Sequence, residues 1–291
     1  MYTLKQIAEI TQGTFIGNTN QTCSVFLTDS RQIIHPNETV FFALVSQRND
    51  GHLYIADLIT RGVKGFVVSN KEVIKAEYTE NGVAFVVVND TLKALQLLAS
   101  KHRQTFQIPV IGVTGSNGKT MVKEWLYQLL KDDYVICRSP KSYNSQIGVP
   151  LSVLNLNSTH TLAIFEAGIS QAGEMQNLQP IIKPTIGVFT SLGQAHDEGF
   201  KNREQKLAEK WKLFNGAEKI IVNKYDDPML SFSENISITI GSGSNCTYKL
   251  FYALGLKTST LELSHGGKKE TYTIPFTDKA SALNCATCIA T

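Results

Sequence analysis

The stretch that most constrains the fold is Val110-Ile-Gly-Val-Thr-Gly-Ser-Asn-Gly-Lys-Thr120. The apolar run from Ile108 to Val113 has the length and composition of a buried strand. It enters a loop of glycine and small polar residues, and Lys119 to Leu130 continues with helical spacing. Strand, glycine loop and helix in that order build an anion cradle. Loop amides and the positive end of the helix dipole face one point, and Lys119 adds a full charge. Thr120 offers a hydroxyl to a Mg²⁺ that bridges phosphates. Gly115 and Gly118 permit backbone angles and approaches that a side chain would block. The general pattern G-x-x-x-x-G-K-[ST] has Gly where this chain has Val113, so Thr114-Gly115-Ser116-Asn117-Gly118-Lys119-Thr120 carries the signal. A nucleotide phosphate is expected there; an ordinary glycine turn before a helix is the alternative.

A length of 291 residues suggests two domains, each large enough to bury a core. The formal net charge of +3 is too small to argue for nucleic acid or a membrane surface as partner. The opening Met-Tyr-Thr-Leu-Lys lacks a basic segment leading into an apolar one, so no secretory signal is expected, and the apolar runs are far short of a membrane span. Five scattered cysteines fit a reducing compartment better than a disulfide framework, and a cytoplasmic protein is expected. Cys285-Ala-Thr-Cys288 has redox or metal spacing without a second pair, and two small residues on a terminal helix is the simpler reading.

Periodicity predicts a small α/β module first. A helix over 3–10 precedes strands near Phe15, over 23–27 and over 39–44, and further buried strands over 65–68 and 84–88. Within it, Asp29-Ser30-Arg31 pairs a hydroxyl with a guanidinium that can fork onto phosphate oxygens, and Asp50-Gly51-His52 opens a helix. Each triplet alone is also an ordinary solvated turn. A helix over 91–106, capped by Asp90 or Thr91, hands the chain to the phosphate-loop domain. Strands near 108–113, 134–137, 161–166, 185–190 and 219–223 alternate there with helices, which predicts a mostly parallel sheet. Ser237 to Ile240, Cys246 to Gly255 and Thr260 to Ile274 read as hairpin strands, and residues 279–291 as a helix. The expected fold class is α/β: an N-terminal domain over 1–85, then a phosphate-loop domain over 86–291 with an antiparallel β extension.

Four further strings accompany the phosphate loop: Ser142-Tyr-Asn-Ser-Gln-Ile-Gly-Val-Pro150, Phe165-Glu-Ala-Gly168, Gly193-Gln-Ala-His-Asp-Glu-Gly-Phe200 and Ala208-Glu-Lys-Trp-Lys-Leu-Phe214. In this order and spacing the chain resembles the Mur ligase superfamily, the amide-forming enzymes of peptidoglycan precursor synthesis. Gly173-Glu-Met and the histidine string are most similar to the branch that adds D-alanyl-D-alanine to UDP-N-acetylmuramoyl-tripeptide. The resemblance implies that ATP phosphorylates the terminal carboxylate of the tripeptide, and that the amine of D-alanyl-D-alanine displaces phosphate from the acyl phosphate. A third-residue-adding or folylpolyglutamate synthetase-like ligase is the alternative among enzymes. A non-catalytic nucleotide-binding module is the alternative outside them.

The resemblance also implies roles. Lys119, with Gly115, Ser116, Asn117 and Gly118, holds phosphates; Thr120 and Glu166 hold a first Mg²⁺. His196 and Lys210 serve a second Mg²⁺, Lys210 after carbamylation by CO₂, although the residue alone reads as a surface lysine beside Lys206 and Lys212. Lys212 stands where relatives commonly carry an acid. Asn223, Asp226 and Asn284 face the nucleoside; Asn144 faces the peptide arm, with Ser145 in place of a frequent second Asn; Ser30, Arg31, Asp50, Gly51 and His52 face the uridine diphosphate. The family's C-terminal domain is not found in this sequence, so a piece inactive by itself, and a monomer, is expected.

Overall fold

The computed structural model describes residues 1–193, 197–227 and 238–291. The chain divides into two compact units, Met1–Thr105 and Phe106–Thr291.

In the first unit, β1 (Tyr2–Thr3), α1 (Leu4–Thr11), β2 (Thr14–Ile16), β3 (Thr22–Cys23), β4 (Val25–Leu27) and β5 (Thr39–Phe42) are followed by α2 (Ile55–Thr60), β6 (Gly65–Val68), α3 (Ala76–Glu80), β7 (Ala84–Val87) and α4 (Thr91–Arg103). The strand order is β2-β7-β6-β5-β4, with β4 to β7 parallel and β2 antiparallel to β7; β1 and β3 form a separate short ladder. Every residue of β5, β6 and β7 is buried, as expected of parallel strands covered on both faces. Phe41, Phe66 and Phe85 meet at the centre. The unit boundary expected at 85/86 lies instead at 105/106. A break at 85 would cut β7, which lies between β2 and β6, and would detach α4, which packs on α1. Asp90 caps α4, accepting from the amides of Leu92 (2.9 Å) and Lys93 (3.0 Å).

The second unit runs β8 (Val110–Thr114), α5 (Lys119–Leu130), β9 (Ile136–Arg138), α6 (Gly148–Val153), β10 (Leu162–Glu166), α7 (Met175–Ile182), β11 (Ile186–Phe189), α8 (Arg203–Trp211) and β12 (Lys219–Asn223). It continues with β13 (Ile238–Gly241), β14 (Tyr248–Ala253), β15 (Ser259–His265), β16 (Lys268–Ile274) and α9 (Lys279–Ala290). Among the described residues they make one sheet ordered β16-β15-β14-β13-β12-β11-β8-β10-β9. The expected hairpin series is only partly realised. β13 joins β12 in parallel and β14 joins β13 in parallel, so only β14 to β16 form an antiparallel meander; Ser237 lies outside the described residues.

Alternation along the central strands sets the two faces. Ile111, Val113, Ile164, Val188 and Ile221 point into one apolar cluster with Val122 and Leu126 of α5 and Ala282 and Ala286 of α9. Gly187 faces the other way, where a Cβ would lie 2.3 Å from the ring of Phe214. Strand order runs outward from β8 in both directions, so the crevice at the C-terminal strand ends opens beside the glycine loop.

Candidate active site

The loop between β8 and α5 is shaped by two glycines. Gly115 has φ of +143° and Gly118 +83°, both in the region that favours glycine. A Cβ on Gly118 would lie 2.4 Å from Asn284 Oδ1, and one on Gly115 would lie 2.1 Å from Thr190 Oγ1. The loop rests on the segment after β11. The Ser116 amide donates to Ser191 O (2.8 Å), Ser116 Oγ to Gly193 O (3.1 Å) and Thr190 Oγ1 to Asn117 O (2.5 Å). No side chain caps α5, which leaves its first-turn amides, unsatisfied within any helix, open to an anion. Lys119 folds back, its Nζ donating to Gly115 O and Ser116 O, both at 3.1 Å. Burial lowers the Lys119 pKa; Glu166 opposes that shift and the Lys206 charge adds to it.

Glu166, the last residue of β10, is fully buried. Its Oε1 accepts from Asn144 Nδ2 (2.7 Å) and Thr120 Oγ1 (3.2 Å). Its Oε2 has no hydrogen-bond partner among the described residues. An orphaned, buried carboxylate oxygen beside a threonine hydroxyl is a hard-donor pair that fits Mg²⁺, which takes few protein oxygens and completes its shell with water and phosphate. No cluster of three or more His, Cys, Asp or Glu suited to a metal occurs among the described residues.

Helix α8 begins at its cap Asn202, whose Oδ1 accepts from the Gln205 amide (2.8 Å), and turns Lys206 and Lys210 to one buried side. Lys210 is not a surface lysine: it is 1% exposed, and its Nζ donates to Gly115 O at 3.1 Å. Burial, then the charges of Lys119 and Lys206, hold its pKa at about 7. Lys206 donates to Gly193 O and pairs with Asp197, both at 2.6 Å. Lys212, half-exposed, pairs instead with Glu209. His196 lies outside the described residues.

A cleft of about 130 Å³ borders the loop, lined by Asn117, Ser191, Gly193, Asn223, Asp226 and Leu283 among others. The expected nucleoside residues divide. Asn284 is not among the cleft's lining and lies against Gly118, whereas Asp226 lines the cleft and pairs with Lys279 at 2.5 Å. Asn223 is spent internally, its Nδ2 donating to Leu283 O and Thr287 Oγ1 and its Oδ1 accepting from the Tyr225 amide, all at 3.0 Å. It ties β12 to α9 and so shapes the cleft wall.

In the first unit, a cavity of about 490 Å³ is lined by Thr28, Asp29, Ser30, Arg31, Asn49 and Tyr54. Arg31 forks onto Asp29 with bonds of 2.9 and 2.8 Å, and those bonds hold the Asp29 pKa at about 2. Gly51 packs flat on Ala43, where a Cβ would lie 2.8 Å from the backbone. His52 differs from expectation. It is buried, its Nε2 accepts from the amides of Ser69 (3.0 Å) and Asn70 (3.3 Å), and its Nδ1 therefore donates to Asp50 Oδ1 (2.6 Å). Both ring nitrogens of His52, and one oxygen of Asp50, hold the loop rather than face the cavity.

Sequence reasoning missed Lys123 and Lys206. The i, i+4 spacing from Lys119 to Lys123 and from Lys206 to Lys210 was the available signal.

Parallel sheet, glycine loop, orphaned acid and buried lysines together define an α/β protein of the phosphate-loop type. Residues 113–291 match the Mur ligase middle domain, and the chain belongs to the Mur ligase family. Among curated relatives it is 30% identical over 293 residues to the UDP-N-acetylmuramoyl-tripeptide--D-alanyl-D-alanine ligase of Bacillus subtilis (strain 168), covering 99% of this chain and 63% of that one. The enzyme of the same name from Borreliella burgdorferi is 35% identical over 218 residues, covering 73% of this chain and 47% of that one. Among solved structures it resembles MurF from Acinetobacter baumannii, with a TM-score of 0.87, 26% identity and coverage of 99% of this chain and 64% of that one. It also resembles the MurF ligase from Thermotoga maritima in complex with ADP, with a TM-score of 0.79, 25% identity and coverage of 91% and 61%. The chain thus spans about half to two thirds of the length of these relatives.

Proposed function

We propose that this chain serves a MurF-type reaction, the ATP-dependent joining of D-alanyl-D-alanine to UDP-N-acetylmuramoyl-tripeptide in the cytoplasm, as a monomer. The observation that carries this reading is the convergence on one glycine loop of Lys119, the Thr120–Glu166 pair and, from a distant helix, Lys210. The relatives of that name and the ADP-bound neighbour support it.

Phosphoryl transfer asks a protein for positioning and positive charge rather than a nucleophile. Lys119 and the first-turn amides of α5 take the β- and γ-phosphates, exchanging the carbonyls that Lys119 now holds for phosphate oxygens. The cleft beside Asn117 and Asn284 takes the nucleoside, and the cavity beside Ser30 and Arg31 takes the uridine diphosphate, with Asn144 turned to the peptide arm. Thr120 and Glu166 would hold Mg²⁺, which would supply positive charge against the phosphates. The tripeptide carboxylate attacks the γ-phosphorus and ADP leaves. The D-alanyl amine then attacks the acyl carbon, gives up a proton, and phosphate leaves. Lys210, with its pKa near neutrality, presents a free amine that adds to CO₂ with loss of a proton. The resulting carbamate turns a cation into an anion and, with His196, would serve a second Mg²⁺.

Calorimetry with two ligands tests the reading. Mg·ADP and the UDP-tripeptide are expected to bind the chain independently, and Lys119→Ala to abolish only the first. Binding of neither, or loss of both on that one substitution, would overturn it. In the full-length protein, phosphate release is expected only when UDP-tripeptide and D-alanyl-D-alanine are both present.

A further inference from the structure

Lys123, one turn into α5 beyond the phosphate loop, is fully buried, yet the mechanism above gives it no task. Its Nζ donates to Ser139 O (2.7 Å) and to Lys141 O, and pairs with Glu124 Oε1 at 3.0 Å. Two of the ammonium's three donors are thus spent on backbone carbonyls, and the Glu124 carboxylate lies beside it as an ion-pair partner. Glu166 Oε2 lies 3.9 Å from the same nitrogen, beyond hydrogen-bond reach but well within Coulombic reach.

The turn that Lys123 grips is under strain and carries the Glu166 contacts. Lys141 has φ of +49°, a left-handed conformation that a non-glycine residue adopts at a cost. From the same turn, Ser139 Oγ accepts from the Glu166 amide (3.3 Å), and Asn144 Nδ2 donates to Oε1 (2.7 Å). The Asn144 carbonyl accepts from the Gly168 amide (2.8 Å) just beyond β10.

We propose that Lys123 is a positioning residue for the metal-facing carboxylate. It balances the buried charge of Glu166 from a distance, anchored by two donors to the 139–141 turn and paired with Glu124, so that Oε2 is compensated without being capped. A lysine that donated directly to Oε2 would occupy the lone pair a cation needs; one absent altogether would leave a buried carboxylate unpaired and a strained turn unpinned. The inference rests on the nucleotide-site reading, and it assigns Lys123 a role through Glu166 rather than contact with any ligand.

The test is a double-mutant cycle with Lys123→Met, Glu166→Gln and the pair, read in two ways. The first is urea unfolding without ligand. Lys123→Met alone is expected to be less stable than Lys123→Met with Glu166→Gln, because the second change removes the charge the first one stranded; additive losses would overturn the proposal. The second is the factor by which Mg²⁺ tightens ADP binding. Lys123→Met is expected to cut it about tenfold in the native background and less than about twofold once Glu166→Gln is present. An equal cut in both backgrounds, or none in either, would overturn the proposal. If Lys123→Met does not fold, Lys123→Gln, which keeps amide donors for the turn but no charge, takes its place in the cycle. Failure of the native chain to bind Mg·ADP would count against the nucleotide site itself, and the unfolding cycle would then decide the role of Lys123.

Discussion

Replacing Lys210 by Met removes a buried ammonium whose pKa has fallen from 10.5 to about 7. Because the folded state releases this proton first, the unfolded chain binds more protons between about pH 7 and pH 10.5. The native protein therefore gains stability as pH rises through that window, and below it carries the full cost of the buried charge. The gap corresponds to a ceiling of about 5 kcal/mol near pH 6, of which about 2 kcal/mol remains at pH 9. Methionine gives up the bond to Gly115 O, a loss of about 1 kcal/mol that does not change with pH. Water reaching the charge shrinks the electrostatic part at every pH, so the change between pH 6 and pH 9 is the readout. Urea unfolding in CO₂-free buffer is expected to show Lys210→Met more stable than the native protein at pH 6, with that advantage falling by at least about 1 kcal/mol at pH 9. Such a variant trades site chemistry for stability. A stability difference constant to within about 0.3 kcal/mol across this range would refute the reasoning.

Other substitutions separate the two units and the loop geometry. Gly118→Ala places a Cβ against Asn284 and a side chain at φ of +83°, so it is expected to cost about 1–3 kcal/mol in thermal unfolding and to weaken ADP binding; adding Asn284→Ala is expected to restore only part, since the backbone strain stays. Arg31→Ala is expected to weaken UDP-precursor binding about tenfold or more in calorimetry and to leave ADP affinity unchanged, given the exposed guanidinium that Arg31, held by Asp29, presents at the cavity with its remaining donors. His52→Phe strands the amides of Ser69 and Asn70, and urea unfolding is expected to show a loss of about 1–3 kcal/mol.

Much of this site was legible in the sequence because local sterics and capping chemistry wrote it there. Gly115 and Gly118 stand where the chain must take positive φ, Asp90 and Asp278 stand where helix amides need acceptors, and the β-branched runs of β7 and β8 suit strands buried on both faces. Each of those residues answers to neighbours a few positions away. What tertiary structure alone decided were the partners of polar side chains. Lys206, Lys210 and Lys123 read as ordinary helix lysines until α5 and α8 pack them inward, and only packing turned His52 and Asn223 into internal ties. The boundary at 105 and the parallel entry of β13 and β14 likewise depended on pairings between segments far apart in the chain. A backbone angle is set by its own residue, whereas the worth of a buried charge is set by whatever else the fold brings within a few ångströms of it.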